Sequence, residues 1–279
     1  MPASYIDTHA HYFDRKFDTL DGGADALLDS PDFRAVTKAV INVGTNLQNS
    51  RTAVAQAGKY PFMAAAVGIH PEDAQGLPDG TPLDPDTELT ALRTWLSDSA
   101  ARRRDKIVAI GEIGLDYYWE PMDKPQQKAF FEGQLAIAAE LDLPVLIHDR
   151  EAHGDCFDTV LKYPSVRGVF HGYSGSAEMA KELTKRGWYI AFGGASTFKN
   201  AQRVRAVVAS VDVNRLLLET DCPYMAPVPH RGKINHSGLI PCIAEVIAPL
   251  HGMTVEELSE VTNRNAEALF GLSGVLASF

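Results

Sequence analysis

Residues 107–112 read IVAIGE, a short apolar run suited to a buried β-strand that ends in a carboxylate. A buried carboxylate is costly unless a cation or a hydrogen-bond donor meets it. The pattern is not isolated. Short β-rich apolar runs lie at Tyr5–Thr8, Ala39–Val43, Met63–Val67, Ile107–Ile110, Val145–Ile147, Gly168–Phe170, Trp188–Phe192 and Arg215–Leu218. Helical patterns separate them, the alternation expected of a parallel sheet wrapped by helices. Eight such units predict an α/β fold, a single (β/α)8 TIM barrel that takes residues 1–279 as one domain.

The intervening segments agree. Gln126–Leu141 sets Phe130, Leu135, Ala138 and Leu141 on one stripe, and Asp142 to Pro144 stops it before the next strand. Thr254 and Glu257 have capping-box spacing and open a helix over Val255–Val261, and the apolar cluster Ala268–Leu272 is placed to close the barrel bottom. Gln75–Asp86, rich in Pro, Gly and Asp, reads as an insertion loop rather than a domain boundary.

Composition sets the outer bounds. With 45% hydrophobic and 22% charged residues over 279 positions, disorder is excluded as the main state. A net charge of −10 excludes a globally basic nucleic-acid binder. Bound divalent cations can still reverse the sign of the potential inside one cleft. Cys156, Cys222 and Cys242 form no CxxC pair, and their odd number argues against a disulfide framework. Cys222 reads as a small packing residue. The start, MPASYIDTHAHYFD, has no signal-peptide pattern, and no run of 18 apolar residues occurs. A cytoplasmic protein with no membrane partner, monomeric by default, is expected.

The ends of the runs carry the chemistry. They finish in His9 and His11, His70, Glu112, His148, His171, and Glu219 with Asp221. In a barrel of this kind the C-terminal strand ends meet on one face, so a metal site is expected there. His9 and His11 form an HxH pair that a strand period of two sends to one side, and Asp7 shares that parity and is placed to orient a ring. Alone, such a pair reads first as surface or core histidines, and it gains force from its companions. Glu112 alone reads equally as half of a salt bridge, but its two oxygens can also bridge two ions. His148 and His171 each stand as the first polar residue after a buried run. Asp221 can ligate a metal and accept a proton from water, or cap the turn at Cys222–Pro223.

Four histidines and two carboxylates, His9, His11, His148, His171, Glu112 and Asp221, suffice for two divalent metal ions, with Mg²⁺, Mn²⁺ and Zn²⁺ as candidates. The reaction class implied is metal-assisted hydrolysis, with displacement at phosphorus. Asp221 and Glu112 are the candidate catalytic residues. Arg150, His230, Arg231 and Lys233 are candidate substrate contacts through phosphate oxygens, although the last three also read as a plain surface loop. His70 is a candidate donor to substrate. Tyr117, Tyr118 and Trp119 can stack on a base or form an aromatic lid. Gly193 and Gly194 mark a close backbone approach, since no phosphate-loop pattern is present.

These residues are also the ones by which the sequence resembles the TatD family of metal-dependent hydrolases within the amidohydrolase superfamily. The matching stretches are DTHAH at 7–11, GIHP at 68–71, GEIGLDYY at 111–118, PVLIHDREA at 144–152, TFKNA at 197–201 and LLLETDCPYMAPVPHRGKIN at 216–235. The resemblance implies a TIM-barrel deoxyribonuclease, typically a 3′→5′ exonuclease with DNA as its substrate. It implies one metal held by His9, His11, Glu112 and Asp221, and a second held by His148 and His171 with Glu112 shared. It assigns the activation of water to Asp221. The chain departs from the family at Gly172-Tyr173, where Cys-Phe is common, and at His236-Ser237, where Glu or Gln precedes Pro. The alternative is an amidohydrolase-type enzyme acting on a small amide, lactone or phosphoester, although many such relatives carry a carboxylated lysine where Glu112 stands. A non-catalytic metal-binding scaffold is the remaining reading.

Overall fold

The apolar runs become strands, and several extend further than their hydrophobic residues do. In the computed structural model, which describes residues 3–76, 80–120 and 122–276, β1 spans Tyr5–Ala10, β2 Thr37–Val43, β3 Met63–Val67 and β4 Ile107–Asp116. They are followed by β5 Val145–Arg150, β6 Gly168–Phe170, β7 Tyr189–Phe192 and β8 Leu216–Leu218. The eight strands form one parallel sheet in sequence order with helices between them, the expected (β/α)8 barrel. The ring closes just above β8. The Thr8 hydroxyl donates to the Leu218 carbonyl, Asp221 N–H to His9 O at 2.9 Å and His11 N–H to Cys222 O at 2.8 Å.

Ile6, Ile41, Ala64, Ala66, Val108, Leu146, Val169, Ala191 and Leu217 are all fully or almost fully buried in one apolar cluster. Leu269, Phe270 and Leu272 join the same cluster, as expected of a plug at the bottom. A larger cluster fills the layer between strands and helices, with Ile110, Ile113, Val145, Ile147, Phe131, Leu135 and Ile243 among its members.

Two irregularities in the ladder decide what faces the upper barrel. Between Asp7 and Ala10 of β1 the partner strand advances only from Val40 to Asn42, so β1 carries one extra residue. Strict alternation would turn Ile6 and His9 to opposite faces, and the extra residue allows both to point inward. The same count recurs in β4, where Ile110 and Ile113 oppose Val145 and Ile147, and Glu112 lies inside the irregularity.

The helix expected from Gln126 begins slightly earlier, at Lys124, with Asp123 accepting from Gln126 N–H as its cap. Asp142 takes the left-handed backbone that ends it. The Thr254–Glu257 capping box forms, and its helix continues to Phe270, well past Val261. The loop expected over Gln75–Asp86 is shorter: Gln75 ends a 3-10 turn and Pro85 and Asp86 open the helix Pro85–Ser97, while residues 77–79 fall outside the described residues. The cysteines are free. Among the described residues no single helix is long and apolar enough to cross a membrane.

Candidate metal centre

Glu112 is the hub of the upper barrel. Its Oε1 lies 2.7 Å from His171 Nε2, 2.8 Å from His148 Nδ1 and 3.4 Å from His70 Nε2. Its Oε2 lies 3.3 Å from His9 Nε2 and 3.6 Å from His11 Nε2. His9 and His11 bring their Nε2 atoms within 3.1 Å of each other, and His11 Nε2 lies 3.4 Å from Asp221 Oδ1. All six residues expected as ligands thus converge, from β1, β4, β5 and the segments just after β6 and β8. They do not merely follow their strands: His9, Glu112 and His148 lie within β1, β4 and β5.

The charges are strongly coupled. Burial pushes the Glu112 carboxyl up, but His171, His70 and His9 outweigh it and hold it well below the usual range. Burial pulls His148 down, yet hydrogen bonds to Asp116 and Glu112 carry it up to about 9. Asp221 is raised by burial and lowered by His11, His171 and His9, with a net lowering that keeps it ionised at neutral pH.

Hydrogen bonds at the far side of His11, His148 and His70 indicate which nitrogen is free. His11 Nδ1 meets the Val43 carbonyl at 2.6 Å, so it must carry the hydrogen and leave Nε2 with its lone pair inward. His148 Nε2 meets Asp116 Oδ2 at 2.9 Å, so a neutral ring keeps its hydrogen there and turns its Nδ1 lone pair inward. His70 is the opposite case. Its Nδ1 accepts the Glu72 N–H, so a neutral ring carries its hydrogen on Nε2 and presents a donor to the cavity.

Asp7 does not orient a ring, in contrast to its expected role. It accepts from the N–H groups of His9 and Thr220 and from the hydroxyls of Thr220 and Ser237. Burial lifts it to about 7 against those bonds. The departure at 236–237 therefore places a serine where it ties β1 to the Asp221 turn, and the Tyr12 hydroxyl is bonded to Ser237 as well. At the other departure, Gly172 has φ 50° and donates its N–H to Glu219, while Tyr173 is buried in the outer core. A Cβ at Gly194 would stand 1.8 Å from the Met225 carbonyl, the close approach expected there.

A cavity of about 510 Å³ opens over the cluster, lined by His11, His70, Glu112, His148, His171 and Asp221 below and by Arg150, Trp119 and Tyr224 above. Its other lining carboxylates are Asp14, Glu72 and Asp73, against the single guanidinium of Arg150. Arg150 lies 3.9 Å over the Tyr118 ring and 5.3 Å over Trp119, both rings being half exposed. Tyr117 instead donates to Asp155 on the flank. His230, Arg231 and Lys233 do not line this cavity; Arg231 lies over Phe198 and donates to the Ala226 carbonyl.

The residues fit divalent cations. Five imidazoles and an anionic hub provide nitrogen and oxygen donors, and His9 with His11 and Glu112 form one triad able to hold an ion. His70, Glu112 and His148 form another such triad by distance, although the hydrogen on His70 Nε2 opposes its use as a ligand. Sequence reasoning missed Asp116 as a partner of His148. The signal was present, because Asp116 stands four residues after Glu112 in one strand and so has its parity.

Comparison with known proteins adds the following. The sequence model described as "TatD related DNase" matches residues 6–271. The chain is 38% identical over 271 residues to the uncharacterized metal-dependent hydrolase YabD of Bacillus subtilis, covering 96% of this chain and 99% of that one. It is 35% identical to the uncharacterized metal-dependent hydrolase YcfH of Escherichia coli, over 95% of each chain. In three dimensions it is similar to the crystal structure of YjjV, a TatD homologue from Escherichia coli, with a TM-score of 0.84, 30% identity, and coverage of 97% and 99%.

Proposed function

The chain belongs to the TatD-related DNase family of metal-dependent hydrolases, and on that premise we propose that it hydrolyses phosphodiester bonds of DNA, trimming strands from a 3′ end. The observation that carries this reading is the charge of the cavity. Five carboxylates face one guanidinium over a cluster of imidazoles, so an anionic phosphate enters only if cations sit at the floor. His9, His11, Glu112 and Asp221 would hold one ion, and His148 and His171 the other, with Glu112 shared. Divalent ions bound there supply Lewis-acid polarisation of a phosphoryl oxygen and a water acidified toward neutrality.

The chain's own groups do the rest. Asp221, ionised at neutral pH and within reach of His11, accepts the proton of the attacking water. His70 presents its Nε2 hydrogen to a non-bridging phosphate oxygen, where negative charge grows in the transition state. Arg150 sits at the rim, where its planar fork can engage phosphate oxygens while remaining packed on Tyr118. Trp119 offers a half-exposed ring on which an unstacked base can lie. His230, Arg231 and Lys233 would act only on more distant phosphates.

The test is direct. Purified protein is stripped with EDTA, then supplied with Mg²⁺, Mn²⁺ or Zn²⁺, and given labelled oligonucleotides beside lactones and small esters. Stepwise shortening from the 3′ end that needs added metal is the expected result. Digestion at an unchanged rate in EDTA, or turnover of lactones in place of oligonucleotides, would overturn the reading.

A further inference from the structure

The rings of His9 and His171 stack with centroids 3.9 Å apart and planes 16° from parallel. Both direct Nε2 at Glu112. Their Nδ1 edges therefore face away from Glu112 together, and neither Nδ1 has a hydrogen-bond partner although both are buried. A second carboxylate stands on that side. Glu219 is 1% exposed, its Oε1 accepts the Gly172 N–H at 2.6 Å and lies 3.7 Å from His171 Nδ1, and its Oε2 has no partner. One nitrogen of each ring and one oxygen of Glu219 all lie within 4.8 Å of one another.

Three unpartnered buried polar atoms facing each other are expensive unless something joins them. A cation between them would need the Nδ1 lone pair of each ring, whereas the proposed ions take the Nε2 lone pair, and a neutral imidazole has only one to give. Two hydrogens satisfy the same atoms at once. From this geometry we infer that Glu219 is a positioning residue for both imidazoles, accepting Nδ1–H of His9 and of His171 and so holding the Nε2 lone pair of each ring toward the floor of the cavity. A carboxylate oxygen has room for two donors, so Oε1 serves Gly172 and His171 while Oε2 serves His9. The left-handed turn at Gly172 aims the anchoring N–H. His11 and His148 have separate anchors in Val43 O and Asp116, which leaves Glu219 as the outer anchor common to one histidine of each proposed ion position.

The inference rests on the reading of the cluster as a metal centre, and the experiment separates the two. Zinc affinity and stoichiometry of the full chain are measured by chelator competition for wild type, Glu219→Gln, Glu219→Ala and Asp116→Asn, with circular dichroism melts to select folded variants. Outer partners of metal-bound histidines typically govern affinity by about 10–100-fold. Glu219 variants are expected to weaken both ions by that factor, and Asp116→Asn only one. In parallel, ring ¹⁵N spectra of zinc-loaded wild type should show hydrogen on Nδ1 of His9 and His171, a result that needs no variant to fold. Hydrogen on Nε2 of either ring, unchanged affinity in a folded Glu219 variant, or loss at one position only would overturn the assignment of Glu219 to both rings. A wild type that binds no zinc would sink the metal-centre reading itself, and this inference with it.

Discussion

Replacing Glu112 with glutamine tests how much of the fold's upper half is held by one negative charge. In metal-free protein the carboxylate accepts from His148 at 2.8 Å and His171 at 2.7 Å, and His148 is held up to about 9 by Asp116 and Glu112. A group whose folded pKa lies above its unfolded value of about 6.5 contributes stability that is present below 6.5 and lost as pH rises through 9. At pH 7 two units remain, about 1.4 kcal/mol each, or about 3 kcal/mol in all. Glutamine removes Glu112's share for His148 and its support for His171, which Glu112 also raises, so a loss of about 3 kcal/mol is expected, in line with the range for breaking a buried pair. For a chain of this size that is roughly 6–12 °C in Tm. The assay is thermal unfolding in EDTA, wild type beside Glu112→Gln, at pH 7 and pH 10. The deficit should be full at pH 7 and should shrink at pH 10, where the His148 imidazolium is gone. A Tm within about 2 °C of wild type at pH 7, or a deficit that grows with pH, would refute the reasoning.

Asp221→Asn should lower kcat on a metal-loaded oligonucleotide assay by about 10²–10⁴-fold, the range for a positioned proton acceptor; wild-type turnover would remove Asp221 from that role. His70→Phe should lower kcat by about 10²–10³-fold with zinc content unchanged, whereas loss of an ion would show that His70 ligates and that its hydrogen is misassigned. Trp119→Ala should weaken binding of a single-stranded oligonucleotide by about 1–3 kcal/mol, read by fluorescence anisotropy, and identical affinity would dismiss the stacking role. His236 is pulled by burial, with His230 adding, down to about 4. Its folded pKa is depressed, so the neutral ring's contribution is intact above about 6.5 and lost as pH falls toward 4, about 2–3 kcal/mol in urea titrations. His236→Asn should flatten that slope, and a parallel slope would exclude His236 as its origin.

The barrel was legible because its signal is repeated hydrophobic runs, and the positions of all eight strands follow from them. Their ends were not. β1, β4 and β5 run on through His9, Glu112, Asp116 and His148, because inside a barrel mouth polar residues continue a strand whose hydrogen bonds are made by its neighbours. The inserted residues at Asp7–Ala10 and Ile110–Ile113 break the two-residue period that sequence reading relies on. For this reason the parity that points Asp7 at a ring misleads, and its partners are backbone N–H groups and hydroxyls instead. The cluster at 230–233 was read from charge alone, and charge does not say which way a loop faces. Glu219 was visible as an ionisable strand end, but its relation to His9 depends on two rings stacking, which no spacing encodes.

The seam of the barrel runs through its own chemistry. The backbone bonds that shut the ring join His9 to Asp221 and His11 to Cys222, so three residues whose side chains would grip an ion also zip the first strand to the last through their backbones. His9 and His11 stand more than 200 positions before Asp221, so synthesis exposes them long before Asp221 emerges to meet them. During that interval the nascent polypeptide offers only fragments of a chelate. The residues proposed as ligands can therefore converge only once the ring is shut.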